Sequence, residues 1–215
     1  MNRIIPTITS ANGNLVKLQD LILSAVKKAE EYAFLRLKID WDIDVLITNR
    51  MGEFIIPEDG VGGRTYSSDF IVIAIDESKI TEKILTEMLV HELCHAARWG
   101  KNPEWINSLF DGIVNEGIAT YFEAEYANEQ KESQFFIKTI TARSDEENGK
   151  ILDILKEQLD NPYYDYQSIF FDGNDALPRW SGYSAGYFVV KKYLEKTGKK
   201  IEEAFADKYE DVKNI

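Results

Sequence analysis

Cysteine and histidine are scarce in this chain of 215 residues, which has one cysteine, Cys94, and two histidines, His91 and His95. A single cysteine excludes an intramolecular disulfide bond and favours a reducing compartment, so we expect a cytoplasmic protein. The chain also lacks any run of about 18 apolar residues, and residues 1–13 contain no apolar stretch of signal-peptide length. We therefore expect neither a membrane-spanning helix nor a secretory leader.

Positive charge is also in deficit, because 25 Lys and Arg stand against 37 Asp and Glu, for a net charge of -12 at pH 7. An acidic surface repels phosphate backbones and anionic lipids, so neither nucleic acid nor a membrane surface is an expected partner. The composition, with 44% hydrophobic and 29% charged residues, is typical of a globular protein. No repeat, low-complexity tract or linker divides the chain, so we expect a single domain.

The first 80 residues alternate between helical and strand patterns. Apolar residues recur with a helical period over 14–38, and residues 41–48 alternate as in a strand. Residues 50–69 hold one proline and four glycines, which predicts a loop or a hairpin. Phe70–Ile75 is a β-branched run between aspartates and predicts the strongest strand of the chain, which we place at the edge of a small sheet.

Helical patterns dominate the remainder. Thr81 can cap a helix that stops at Gly100, with Ile80 and Leu85 at the positions of a hydrophobic staple. Further helices are predicted over about 104–128, 134–143, 145–159, 181–196 and 201–206, with a long aromatic loop over 161–180. The pattern predicts an α+β domain with a helix and small sheet in 1–80, two site-bearing helices in 81–128 and a helical part in 129–215.

His91, Glu92 and His95 all lie within the helix predicted after Thr81. Residues four apart share one face of a helix, so both imidazoles can point at one ion while Glu92 lies beside it. Two neutral nitrogen ligands and a carboxylate close to an activated water are the arrangement of zinc hydrolases. We therefore expect a zinc-dependent hydrolase with Zn²⁺ as cofactor, His91 and His95 as metal ligands and Glu92 as the catalytic base.

A catalytic zinc ion needs a third protein ligand, which here must be Asp, Glu or Cys94 because no histidine remains. Cys94 is turned by about 100° from His95 around the helix and is expected to be a small buried core residue. Glu116 follows His95 after twenty residues, on the second predicted helix, and is the expected third ligand. Glu123 lies two turns further on the same face and can orient a ligating imidazole, or it is a solvated surface carboxylate. We expect Asn115 to help position the site by hydrogen bonding.

These motifs resemble those of known metallopeptidases. His91-Glu92-x-x-His95 followed by Asn115-Glu116-Gly117-x-Ala119 is similar to the gluzincins, including aminopeptidases with an Asn-Glu-Gly-x-Ala stretch. The chain differs from those aminopeptidases in a slightly longer interval between the two motifs and in having no Gly-x-Met-Glu-Asn motif.

A closer resemblance is to a family regarded as zinc-dependent proteases and known mainly as a domain of unknown function. The shared motifs are the Gly60 to Gly63 loop, His-Glu-x-x-His-Ala-x-Arg from His91, Glu-Gly-x-Ala from Glu116, and Gly-Tyr-x-x-Gly-Tyr from Gly182. The likeness covers roughly residues 45–204. It implies a zincin-like fold, in which a small sheet packs on the His-Glu-x-x-His helix, and a metallopeptidase activity.

Two tyrosines of the last motif, Tyr183 and Tyr187, lie four residues apart among small neighbours that would let their helix approach a site closely. By resemblance to gluzincins, a tyrosine well downstream of the third ligand stabilises the oxyanion, and Tyr183 fits that order. Tyr187 is then expected to contact substrate. The alternative is that both tyrosines belong to the core or its rim, and the aromatics of 163–171 are likewise expected to cover a core edge rather than a substrate cleft.

The expected activity is therefore that of a zinc metallopeptidase acting on a peptide or protein, which Phe70–Ile75 could align by β-augmentation. Two alternatives stay open. The chain could be a zincin-like binding or scaffold protein with a degenerate site, or a zinc hydrolase of a non-peptide amide or ester. The sequence leaves the oligomeric state open.

Overall fold

The computed structural model describes residues 3–52, 55–102, 106–131 and 133–214. The expected start of the second site-bearing helix, near residue 104, lies outside these ranges. The chain divides into two compact units, one of residues 1–101 with 125–136 and one of residues 102–124 with 137–215.

A four-stranded mixed sheet forms the base of the first unit. Its strands are β1 (Ile4–Ile8), β2 (Ile43–Thr48), β3 (Val61–Ser67) and β4 (Phe70–Ile75), in the spatial order β1-β2-β4-β3. β2 is parallel to both β1 and β4, and β3 is antiparallel to β4.

β4 lies inside the sheet, so its expected position at the edge was wrong. β2 and β3 pair with its two sides, and its residues from Ile71 to Ile75 are all buried. A strand that is covered on both faces has a continuous apolar run instead of an alternating one, and this is the pattern of Phe70–Ile75. The hairpin alternative for residues 50–69 is confirmed, since β3 forms the first arm of a hairpin with β4.

β1 was not predicted, because a proline interrupts its short run of five residues. Proline cannot donate a hydrogen bond to a ladder and is therefore tolerated mainly in edge strands, which is the position of β1 in the described sheet.

Two helices pack against one another beside this sheet. The helix α1 (Gln19–Leu37) follows a 3₁₀ turn at Val16–Leu18, and α2 (Glu82–Lys101) packs on both α1 and β3. The N-cap of α2 is confirmed, because the Thr81 hydroxyl oxygen accepts a hydrogen bond from the Ile84 amide at 3.3 Å. Ile80 and Leu85 are both buried, as the staple requires.

Helices make up most of the rest of the chain. They are α3 (Leu109–Gln130), α4 (Phe135–Thr141), α5 (Asp145–Leu155), α6 (Ser181–Thr197), α7 (Ile201–Ala204) and α8 (Tyr209–Lys213). The predicted aromatic loop contains a π-helical turn at Ser168–Asp172, and α8 was not predicted. The predicted α+β class is confirmed. Among the described residues, no helix has the length and apolar character needed to cross a bilayer.

Candidate metal centre

α2 presents His91 and His95 one turn apart, with their Nε2 atoms separated by 3.1 Å. His91 is buried and His95 is partly exposed. Two ligands that bind a tetrahedral zinc ion at about 2.0–2.1 Å lie roughly 3.3 Å apart, so this separation suits a shared ion. The local cause is the helical spacing of four residues, which places the two imidazoles on one face.

Glu116 of α3 completes a group of three potential ligands. The ligand atoms of His91, His95 and Glu116 all lie within 4.8 Å of one another, and Glu116 is only 9% exposed. Two imidazoles and one carboxylate are a donor set used by catalytic zinc sites, in which three protein ligands leave a fourth position for water or substrate. The donor chemistry of this group therefore fits zinc.

Glu92 is 4% exposed and is held against β3. The Thr65 hydroxyl lies 2.7 Å from Glu92 Oε2 and 3.0 Å from the Glu92 carbonyl oxygen. Gly63 of β3 also packs directly against the Glu92 side chain. If residue 63 had a Cβ atom, that atom would lie 2.5 Å from Glu92 Cγ and 2.6 Å from Glu92 Oε1. Neither Thr65 nor Gly63 was singled out from the sequence as a site residue. The only signal was the Gly60 to Gly63 motif, which marks a close backbone approach without naming the partner.

Cys94 is fully buried, and burial raises the pKa of its thiol to about 12. It thus behaves as the small core residue that the sequence indicated.

Asn115 and Glu123 flank Glu116 along α3. Glu123 has no exposed surface, so the alternative that it is a solvated surface carboxylate is wrong. Asn115 is partly exposed. Their roles in positioning the site stay predictions.

Close contact between α3 and α6 occurs beside Glu116. A Cβ atom at Gly117 would lie 2.3 Å from the carbonyl oxygen of Gly186, so the two backbones touch. The small residues of the Gly-Tyr-x-x-Gly-Tyr motif therefore permit the close helix approach that the sequence suggested.

The two tyrosines of that motif have different surroundings. Tyr187 is partly exposed and stacks on Tyr121 of α3, with ring centroids 5.5 Å apart. Tyr183 is 9% exposed and packs edge-on against Phe170 and Phe171, at centroid distances of 5.6 and 6.1 Å. Tyr183 is thus largely enclosed by aromatic rings, and its catalytic role stays a prediction.

A third tyrosine, Tyr164, lies close to Glu116. A Cβ atom at Gly112, one helical turn before Glu116, would be 2.9 Å from the Tyr164 hydroxyl oxygen. Burial raises the pKa of Tyr164, and the negative charges of Glu116 and Asp111 raise it further. The sequence identified this residue only as part of the aromatic loop.

The aromatic loop both covers core and lines a surface pocket. Phe170 is fully buried, as expected for a residue that covers a core edge, whereas Tyr163 and Tyr166 are exposed. The pocket has a volume of about 540 Å³ and is lined by Ile106, Gln158 and residues 162–166.

Comparison with protein families finds a match over most of the chain. A family model described as "Predicted Zn-dependent protease (DUF2268)" matches residues 22–214. No curated protein and no solved structure matches the chain. The family description and the group formed by His91, His95 and Glu116 together support Zn²⁺ as the cofactor.

Proposed function

The chain belongs to this family of predicted zinc-dependent proteases, and we propose that it is a gluzincin-like metallopeptidase acting on peptide or protein substrates. The observation that carries the proposal is the group of three potential zinc ligands with a buried glutamate, Glu92, directly after the first of them. A purely structural zinc site usually has four protein ligands and needs no base.

The proposed role of each residue follows from the chemistry of its side chain. His91, His95 and Glu116 would hold zinc, and the bound ion would supply Lewis-acid chemistry towards water and a carbonyl group. Glu92 accepts a proton at its carboxylate and later delivers it to the leaving amine. Asn115 and Glu123 position the ligands.

A hydrogen-bond donor for the oxyanion completes the proposal. We assign this donor to Tyr183, as the resemblance to gluzincins implies, and we assign Tyr187 to substrate binding. Tyr164 is a second candidate for the oxyanion donor, because its hydroxyl group lies beside the helical turn that precedes Glu116. One such donor contributes about 10²–10³-fold to the turnover rate, so substitution can tell the candidates apart.

The proposed peptide substrate binds beside β3 rather than β4. β3 is the outer strand at its end of the described sheet, and Val61 is bridged to Ile56 on the side away from β4. Gly63 and Thr65 of this strand contact Glu92. An extended peptide that adds to the edge of β3 would therefore lie near the proposed base. A reducing, cytoplasmic location remains part of the proposal because of the single cysteine.

Zinc analysis and peptide digestion test this function together. The purified chain is assayed for zinc content and incubated with a peptide library whose cleavage products are identified by mass spectrometry. Glu92→Gln is the matched control, because it preserves side-chain shape and removes the basic carboxylate. We expect about one zinc per chain in both proteins, and turnover that is nearly abolished in Glu92→Gln, by about 10²–10⁴-fold.

Other results would identify the alternatives. Equal cleavage by Glu92→Gln would refute Glu92 as the base. Turnover confined to non-peptide esters or amides would make the chain a different zinc hydrolase. Bound zinc without turnover of any substrate would favour a binding protein.

A further inference from the structure

The hydrogen bond between Thr65 and Glu92 joins the outer strand β3 to the centre of the candidate site. The Thr65 hydroxyl oxygen lies 2.7 Å from Glu92 Oε2, and the Glu92 side chain is almost fully buried. We propose that Thr65 is a positioning residue, which holds the Glu92 carboxylate in the orientation needed for proton transfer. The catalytic part of this inference rests on the proposed peptidase function.

The carboxylate is the main acceptor for the Thr65 proton. A hydroxyl group has one proton to donate, and Thr65 has two oxygens of Glu92 within reach, Oε2 at 2.7 Å and the carbonyl oxygen at 3.0 Å. The carbonyl group lies in the middle of α2, where the helical hydrogen bonds already supply a donor. A bond to an ionised carboxylate is also the shorter and stronger type.

Gly63 leaves space for Glu92 Oε1, the carboxylate oxygen that Thr65 does not bind. Gly63 and Thr65 are two residues apart in β3 and therefore point to the same face of the sheet. Any side chain at residue 63 would overlap Glu92, because even its Cβ atom would lie 2.6 Å from Oε1. Thr65 thus binds one carboxylate oxygen, while the absence of a side chain at Gly63 leaves space for the other.

A fixed orientation of the Glu92 carboxylate should favour its action as a general base. A free glutamate side chain samples several rotamers, and ordering it costs conformational entropy. A general base acts only when its oxygen is within hydrogen-bond reach of the proton that it accepts. A hydrogen bond that selects one orientation before substrate arrives therefore acts on the rate of turnover and not on substrate affinity.

The test compares Thr65→Val, which has the same shape without a hydroxyl group, with Thr65→Ser, which keeps it. Thr48→Val is the matched control, because Thr48 is a buried threonine of β2 whose hydroxyl contacts Thr9 instead of Glu92. Steady-state kinetics, zinc content and crystal structures are obtained for each full-length protein. If Thr65→Val does not fold, Thr65→Ala replaces it.

We expect Thr65→Val to lower kcat by about 10-fold or more, within the roughly 10²–10⁴-fold that a general base contributes. KM and zinc content should stay unchanged, and the crystal structure should show the Glu92 carboxylate displaced or in several orientations. Thr65→Ser and Thr48→Val should keep wild-type kcat and the wild-type carboxylate position. In a Glu92→Gln background, Thr65→Val should cause no further loss, because the group that it positions is already inactive.

Three results would overturn the inference. They are an unmoved carboxylate in Thr65→Val, an unchanged kcat, or an equal loss of turnover with and without Glu92, which would indicate a general structural effect. If the wild type cleaves no substrate, the proposed function fails separately, and the crystal structures alone then decide whether Thr65 orients Glu92.

Discussion

Gly117 of α3 and Gly186 of α6 bring two helix backbones into direct contact, one residue after the proposed ligand Glu116. A Cβ atom at Gly117 would lie 2.3 Å from the Gly186 carbonyl oxygen, and one at Gly186 would lie 2.3 Å from the Ile113 carbonyl oxygen. The obstructing atoms belong to the backbone, so a methyl group could be accommodated only by separating the helices. The packing of α3 therefore depends on glycine at both positions.

Replacing either glycine should destabilise the protein despite the higher helix propensity of alanine. For Gly117→Ala and Gly186→Ala, we expect the free energy of unfolding to fall by about 1–3 kcal/mol, which is typical of overpacking in a tight interior. Urea denaturation followed by circular dichroism measures this change.

Gly149→Ala is the matched control for these variants. Gly149 lies inside α5, and a Cβ atom there would meet nothing within 4 Å. Alanine should thus raise the free energy of unfolding by roughly 0.5–1 kcal/mol through its helix propensity. A stabilising effect of alanine at Gly117 would show that the helices tolerate separation.

Zinc affinity should fall strongly when any of the three proposed ligands is replaced, and less when Glu123 is replaced. His91→Ala, His95→Ala and Glu116→Ala should each remove a direct ligand and strongly weaken zinc affinity. Glu123→Gln should weaken it less, on the order of 10–100-fold, as is usual for a residue that supports a ligand. Competition with a chromophoric chelator gives the affinities. Wild-type affinity in Glu116→Ala, together with loss in Glu123→Gln, would assign the third ligand to Glu123.

Gly63→Ala should impair turnover without removing zinc. The new Cβ atom would lie 2.5 Å from Glu92 Cγ, and a side chain moves more easily than a backbone, so the Glu92 carboxylate should be displaced. We expect a lower kcat, unchanged zinc content and a modest loss of stability. Gly52→Ala is the control, since a Cβ atom at Gly52 would meet nothing within 4 Å. Equal kcat values for the two variants would show that Glu92 adjusts without cost.

The tyrosine that stabilises the oxyanion can be identified from three single substitutions to phenylalanine. Tyr183→Phe should lower kcat by about 10²–10³-fold with little change in KM, and Tyr187→Phe should have a smaller effect. Tyr164→Phe tests the competing assignment. If Tyr164→Phe has the larger effect on kcat, the donor is Tyr164 and the enclosed Tyr183 has a packing role.

Local patterns in the sequence predicted much of the secondary structure and the first part of the site. The cap at Thr81 involves residues within one or two helical turns, and so does the spacing of His91 and His95. The local sequence is therefore sufficient to predict both features. Glu116 was predicted because no histidine was left to act as a third ligand, and because it lies in the Asn-Glu-Gly motif of the second predicted helix, twenty residues after His95. That residues 1–215 form one functional domain stays a prediction.

Tertiary structure decided which of these elements meet. The apolar run of Phe70–Ile75 indicated a strand, but its position inside the sheet follows from pairing with β2 and β3. Likewise, the contact of Thr65 with Glu92 joins residues 27 positions apart, and neither residue type indicates the other as its partner. Periodicity and capping are local properties of a chain, whereas strand order and side-chain contacts depend on how distant segments pack. For this protein, the sequence alone therefore indicated the helix that carries the candidate metal ligands, and only the fold revealed the contact between Thr65 and Glu92.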